Sequence, residues 1–176
     1  MQISEIPLSG LESMDQQTIS DLSKACSEHG FFRLVEHGVE GNLINDLLKI
    51  SRAFFALPKG KKQRNARTGD RPWGYFDQEL TKNRPDWKEI FDLGLSGEDI
   101  RSELGMSWPN EPEDFKKITL NWHRLCDQIS LTIVRAISVS LGREADCISG
   151  GLGHFEAKYL MPLALAHAGR MGKYGA

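Results

Sequence analysis

Between Leu22 and Gln63 the chain sets two helix-period hydrophobic patterns on either side of one short apolar run, Gly30-Phe31-Phe32-Arg33-Leu34-Val35, which ends at His37-Gly38-Val39. A short run rich in aromatic and branched side chains, bounded by glycines, reads as a buried strand. The order helix, strand, turn, helix places the chain in the α/β (α+β) class. Ser13-Met14-Asp15-Gln16 has the S-x-x-Q form of a capping box and opens the first helix, along which Ile19, Leu22 and Cys26 recur at helical spacing. Gly30 is placed to end it in the left-handed conformation. The second helix, about Glu40 to Ala56, carries Leu43, Ile44, Leu47, Leu48, Phe54 and Phe55 on one face, and Pro58 stops it.

Outside this stretch the signals are sparser. Ile3 to Leu8 alternates weakly and contains Pro7, an edge strand or extended lead-in. Lys59 to Arg71 is polar and contains glycine, which predicts a loop, and its basic run Lys59-Gly60-Lys61-Lys62-Gln63-Arg64 reads as a solvated face. Strands are predicted around Trp73–Phe76 and Glu89–Leu93, followed by a loop with Gly94, Gly97 and Gly105. The longest element comes next. Pro112 suits a first helical turn, Glu113 and Asp114 complement the dipole, and Gly142 supplies the stop. Between them Phe115, Ile118, Trp122, Leu125, Ile129, Ile133, Ala136 and Ser140 follow a 3.6-residue period, about eight turns or roughly 43 Å of amphipathic helix. Gly150 to Gly153 reads as a linker. Leu160 to Ala166 is apolar but broken by Pro162, and Ala168 to Ala176 has no period.

Composition excludes several function classes. The 176 residues suit one domain, and 26% charged with 40% hydrophobic residues is a globular balance. A net charge of −2 with mixed signs gives no footprint for nucleic acid or for an anionic membrane. Cys26, Cys126 and Cys147 are odd in number and widely spaced. With no signal peptide and no membrane-length apolar run, this points to a reducing, cytoplasmic setting.

Several blocks taken in order resemble the N-terminal region of the isopenicillin N synthase-like 2-oxoglutarate/Fe(II)-dependent dioxygenases. They are Ile6-Pro7-Leu8, the segment 22–63, Arg71-Pro72-Trp73-Gly74-Tyr75, Asp86-Trp87-Lys88-Glu89-Ile90-Phe91-Asp92-Leu93-Gly94, and Trp108-Pro109 with the long helix ending at Leu141-Gly142. The resemblance covers residues 5–156 and implies a non-haem dioxygenase N-terminal domain over 1–156, with an incomplete jelly roll and an atypical, disordered or frame-altered tail over 157–176. It implies an oxidoreductase family acting on small organic substrates with Fe(II) and 2-oxoglutarate. In that family a His-x-Asp pair and a distal His hold iron, and an Arg-x-Ser pair holds the cosubstrate. Two histidines and one carboxylate on one side of the metal leave positions for a bidentate 2-oxo acid and for dioxygen.

That constellation is missing from this sequence. His29, His37, His123 and His167 each lack the partner, and His154-Phe155-Glu156 with His167 is too closely spaced to span the intervening strands. Arg170-Met171-Gly172 departs from Arg-x-Ser. No catalytic, cofactor-binding or metal-binding residue is therefore assigned, and no Ser/His/Asp arrangement, P-loop or GxGxxG occurs. His37 is read as a turn residue bonding backbone. Trp73 and Tyr75 are candidates to line a substrate entrance, or else they cover the core beneath the loop.

The expected function is the N-terminal portion of such an oxygenase, cut by truncation, frame change or gene splitting, and inactive as this chain. The alternative is a stand-alone helical binding or regulatory module derived from the enzyme. In the family the long helix packs on the jelly roll. Ile129, Ile133 and Ile137 would therefore lack part of their cover, predicting marginal stability and self-association through uncovered apolar surface.

Overall fold

The computed structural model of the chain describes residues 2–81, 83–85, 87–93, 106–148 and 163–168. Gly94, Gly97, Gly105, the linker 150–153 and the pair His154 and Glu156 lie outside the described residues. Among those described, the elements run β1 (Glu5–Pro7), α1 (Leu8–Glu12), α2 (Gln16–Glu28), β2 (Arg33–Val35), α3 (Gly41–Phe55), α4 (Lys59–Gln63), β3 (Gly74–Phe76), β4 (Leu80–Thr81), β5 (Arg84–Pro85), β6 (Lys88–Leu93), α5 (Phe115–Ser140) and β7 (Leu163–Ala168). The chain divides into two compact units, 1–40 with 123–157 and 41–122 with 158–176.

In the first unit β1 and β2 pair in parallel, Ile6 opposite Leu34, and Arg33 forms an ion pair with Glu5 across the ladder. Ile6, Leu11, Leu22 and Ala136 form its core, with Phe32, Leu34, Ile133 and Ile137 packed around them. The helix start differs from the capping-box expectation. A short helix, α1, precedes it, and Ser13 caps the C-terminus of that helix, its hydroxyl donating to the Ser9 carbonyl at 3.0 Å. Asp15 is the N-cap of α2 instead, its carboxylate accepting from the Thr18 amide and hydroxyl, each at 2.9 Å. Gly30 ends α2 as expected, at φ 74°, with its amide donating to the Cys26 carbonyl at 3.1 Å. Val39 N–H donates to His37 Nδ1 at 3.1 Å, the backbone role read for that histidine.

The second unit is built around an aromatic core. Phe54 packs at ring-centroid distances of 5.2 Å from Phe55, 5.2 Å from Phe91 and 5.0 Å from Phe115. Leu47, Ile50, Tyr75, Leu93 and Met106 complete this cluster. Within α3 the buried stripe is Leu47, Ile50, Phe54 and Phe55. Leu48, expected on that stripe, is 46% exposed, because the face turns on the 47-50-54 spacing. A three-stranded antiparallel sheet, β3-β6-β7, lies in this unit, with Tyr75 opposite Phe91. The backbone of segment 65–67 runs along the outer side of β3: Tyr75 N–H donates to the Asn65 carbonyl at 2.8 Å and Arg67 N–H to the Tyr75 carbonyl at 3.0 Å.

Two further details correct the sequence reading. The loop predicted over 59–71 opens with a helical turn, α4, because Pro58, extended at φ −53° and ψ 142°, ends α3 and serves as N-cap for a new helix. Pro112 lies outside α5, whose 26 residues span about 39 Å. Asp114 stands between them at φ 63°, which the helix cannot include. Within the stretch 157–176, Leu163–Ala168 is a strand paired with β6, and the remaining residues of that stretch lie outside the described residues. At the far end of α5 Gly142, at φ 70°, donates to the Val139 carbonyl, and Arg143 donates to that of Ser138, a Schellman stop at the glycine the sequence marked.

Candidate functional site

The chemistry-bearing side chains of the second unit converge on one carboxylate. Lys62 closes the turn of α4 and is 5% exposed. Its Nζ donates to the Phe55 carbonyl at 3.0 Å and to Glu89 Oε1 and Oε2 at 2.8 and 2.6 Å. β6 carries Glu89 on the same face as Phe91 and Leu93. Tyr75, fully buried on β3, donates its hydroxyl to Glu89 Oε1 at 2.9 Å. An ammonium has three protons to give, and all three are used here. Burial pushes the Tyr75 phenol well above its ordinary range, and the neighbouring Glu89 carboxylate, as acceptor and as charge, pushes it further. The phenol therefore stays a donor.

Around this network stand two lesser pairs. Arg67 donates to Asp92 Oδ2 at 3.1 Å while its guanidinium lies 3.4 Å from the Phe76 ring centroid. Burial raises the Asp92 carboxyl, and Arg67 offsets part of that rise. Burial would raise Asp77 too, but Lys59, 2.8 Å away, and Gln63 outweigh it and hold the carboxyl below the usual range. Every group in these clusters is a paired charge or a satisfied donor. Such an arrangement braces strands β3 and β6 against α4; it offers no nucleophile beside a base.

The residues proposed from sequence fall as follows. Trp73 is half-buried and packed against the aromatic core, and Tyr75 is locked beneath it in the Glu89 network. His29 lies against Phe31, His37 holds its turn, and His167 stands opposite Glu89 in the β6–β7 register. Buried His123 has Nδ1 3.0 Å from Asp127 Oδ2, but not aligned as a hydrogen bond. Burial raises the Asp127 carboxyl against the pull of that imidazole. Among the described residues no group of three or more His, Cys, Asp or Glu side chains is placed to hold a metal ion. A facial triad for Fe(II) cannot be assembled from them. A depression of about 400 Å³ beside the start of α5 is walled by Pro109, Pro112, Phe115 and Leu120, with Glu113 and Lys116 among its polar lining.

Lys62 escaped the sequence reading because its neighbours in the basic run are solvated lysines.

The described residues of the second unit thus define helices with a small antiparallel sheet held by the Lys62–Glu89–Tyr75 network. The chain belongs to the family described as non-haem dioxygenase in morphine synthesis, N-terminal, which matches residues 3–112. It is 32% identical over 135 residues to homoarginine-6-hydroxylase 2-ODD-C23.1 of Arabidopsis thaliana, covering 71% of this chain and 41% of that protein. It is 25% identical over 165 residues to naringenin,2-oxoglutarate 3-dioxygenase of the same plant, covering 91% and 46%. Among solved structures it is similar to a full-length Neurospora crassa protein crystallised in complex with alpha-KG, with a TM-score of 0.70, 25% identity, and coverage of 84% of this chain and 49% of that one. The chain thus spans less than half the length of these relatives. It is the N-terminal portion of a 2-oxoglutarate/Fe(II) oxygenase fold, a mixed helix and strand structure with small sheets and, among the described residues, no closed barrel.

Proposed function

We propose that the chain serves as the scaffold half of an oxygenase that oxidises a small organic substrate, and that by itself it does not catalyse the reaction. The observation that carries this reading is the contrast within the second unit. Lys62, Tyr75 and Glu89, all inside the family-like blocks, assemble fully, while no described residues converge as iron ligands. Fe(II) and 2-oxoglutarate would supply the oxidising chemistry in a protein completed by a metal-binding portion. In this proposal 1–156 is the domain proper and 157–176 an altered end, and the setting is cytoplasmic. No helix among the described residues is long and apolar enough to cross a membrane. Of the entrance candidates, half-buried Trp73 would be the one to meet a substrate, while Tyr75 is fully buried in the core.

The alternative of a binding or regulatory module draws on α5, where Ile129, Ile133 and Ile137 are half-buried.

The test is 2-oxoglutarate consumption by the purified chain with Fe(II) and dioxygen. The expected result is succinate no higher than the protein-free blank, and turnover when the chain is fused ahead of the C-terminal half of the homoarginine hydroxylase relative. Chelator-sensitive succinate from the chain alone would overturn the proposal.

A further inference from the structure

We draw no further inference here: the strongest candidate, the apolar depression beside the start of α5 walled by Pro109, Pro112, Phe115 and Leu120, carries nothing because no observation in the structure shows what covers it.

Discussion

Lys62 ties α4 to β6 and to the end of α3. Its ammonium holds both oxygens of Glu89, and its removal leaves a partly buried carboxylate facing one phenol. Breaking a buried pair from one side is costly, whereas removing both partners is much less so. Lys62→Met is therefore expected to destabilise the chain by about 3 kcal/mol in urea unfolding, and Lys62→Met/Glu89→Gln to recover at least half of that. Equal losses for the single and double variants would show that the ion pair does not couple. Tyr75 contributes a pH dependence with a definite sign. Its folded pKa lies above the unfolded value of 10.0. Its contribution is therefore complete below about pH 10 and declines as pH rises past the unfolded pKa towards the folded one. Wild type minus Tyr75→Phe stability, followed from neutral pH upward, should be flat and then fall in alkali. A difference that grows with alkali would contradict the Glu89 contact. None of this is legible in the basic run itself. Charge type is visible in a sequence, but burial of one lysine among four cations depends on which side of a short helix meets a strand far along the chain.

Elements with strong periodicity and glycine stops are the legible ones. The helix ends at Gly30 and Gly142 can be placed because a left-handed residue is a local requirement that a glycine announces. The helix starts are misplaced at Ser13 and at Pro112, where a neighbouring short helix or a left-handed Asp114 takes over the capping position. Gly74 shows a constraint of another kind. It sits at φ 127° with the Asn65 carbonyl oxygen 2.4 Å from where a Cβ would stand. The side chain is absent there because segment 65–67 must lie against β3. Gly74→Ala should cost about 3 kcal/mol or more and free the Arg67 and Tyr75 amides to exchange with solvent. Hydrogen exchange on those two amides checks it, and unchanged protection would mean that the strap does not depend on the glycine.

At the scale of the molecule, family and fold are legible because the blocks that carry them are local: the Gly-Phe-Phe segment, the Lys-Glu strand, the long helix. The first is not the buried strand its apolar run predicts, since β2 covers only Arg33–Val35 and Phe31 is exposed. β7 is not legible. Its alternation of leucine and alanine is faint, Pro162 adjoins it, and its partner β6 lies about seventy residues earlier. The candidate site is half legible: Glu89 and Tyr75 stand inside recognisable blocks, but their convergence on Lys62 is not written there. A scaffold whose described residues bring no iron donors together is tested most directly by an anaerobic titration of the purified chain with Fe(II) and 2-oxoglutarate. Calorimetry and the metal-to-ligand charge-transfer absorption of a 2-oxo acid bound to iron supply the readouts. No saturable heat and no such band are predicted. A stoichiometric band that a chelator abolishes would mean the chain holds its own metal centre and would contradict the scaffold reading.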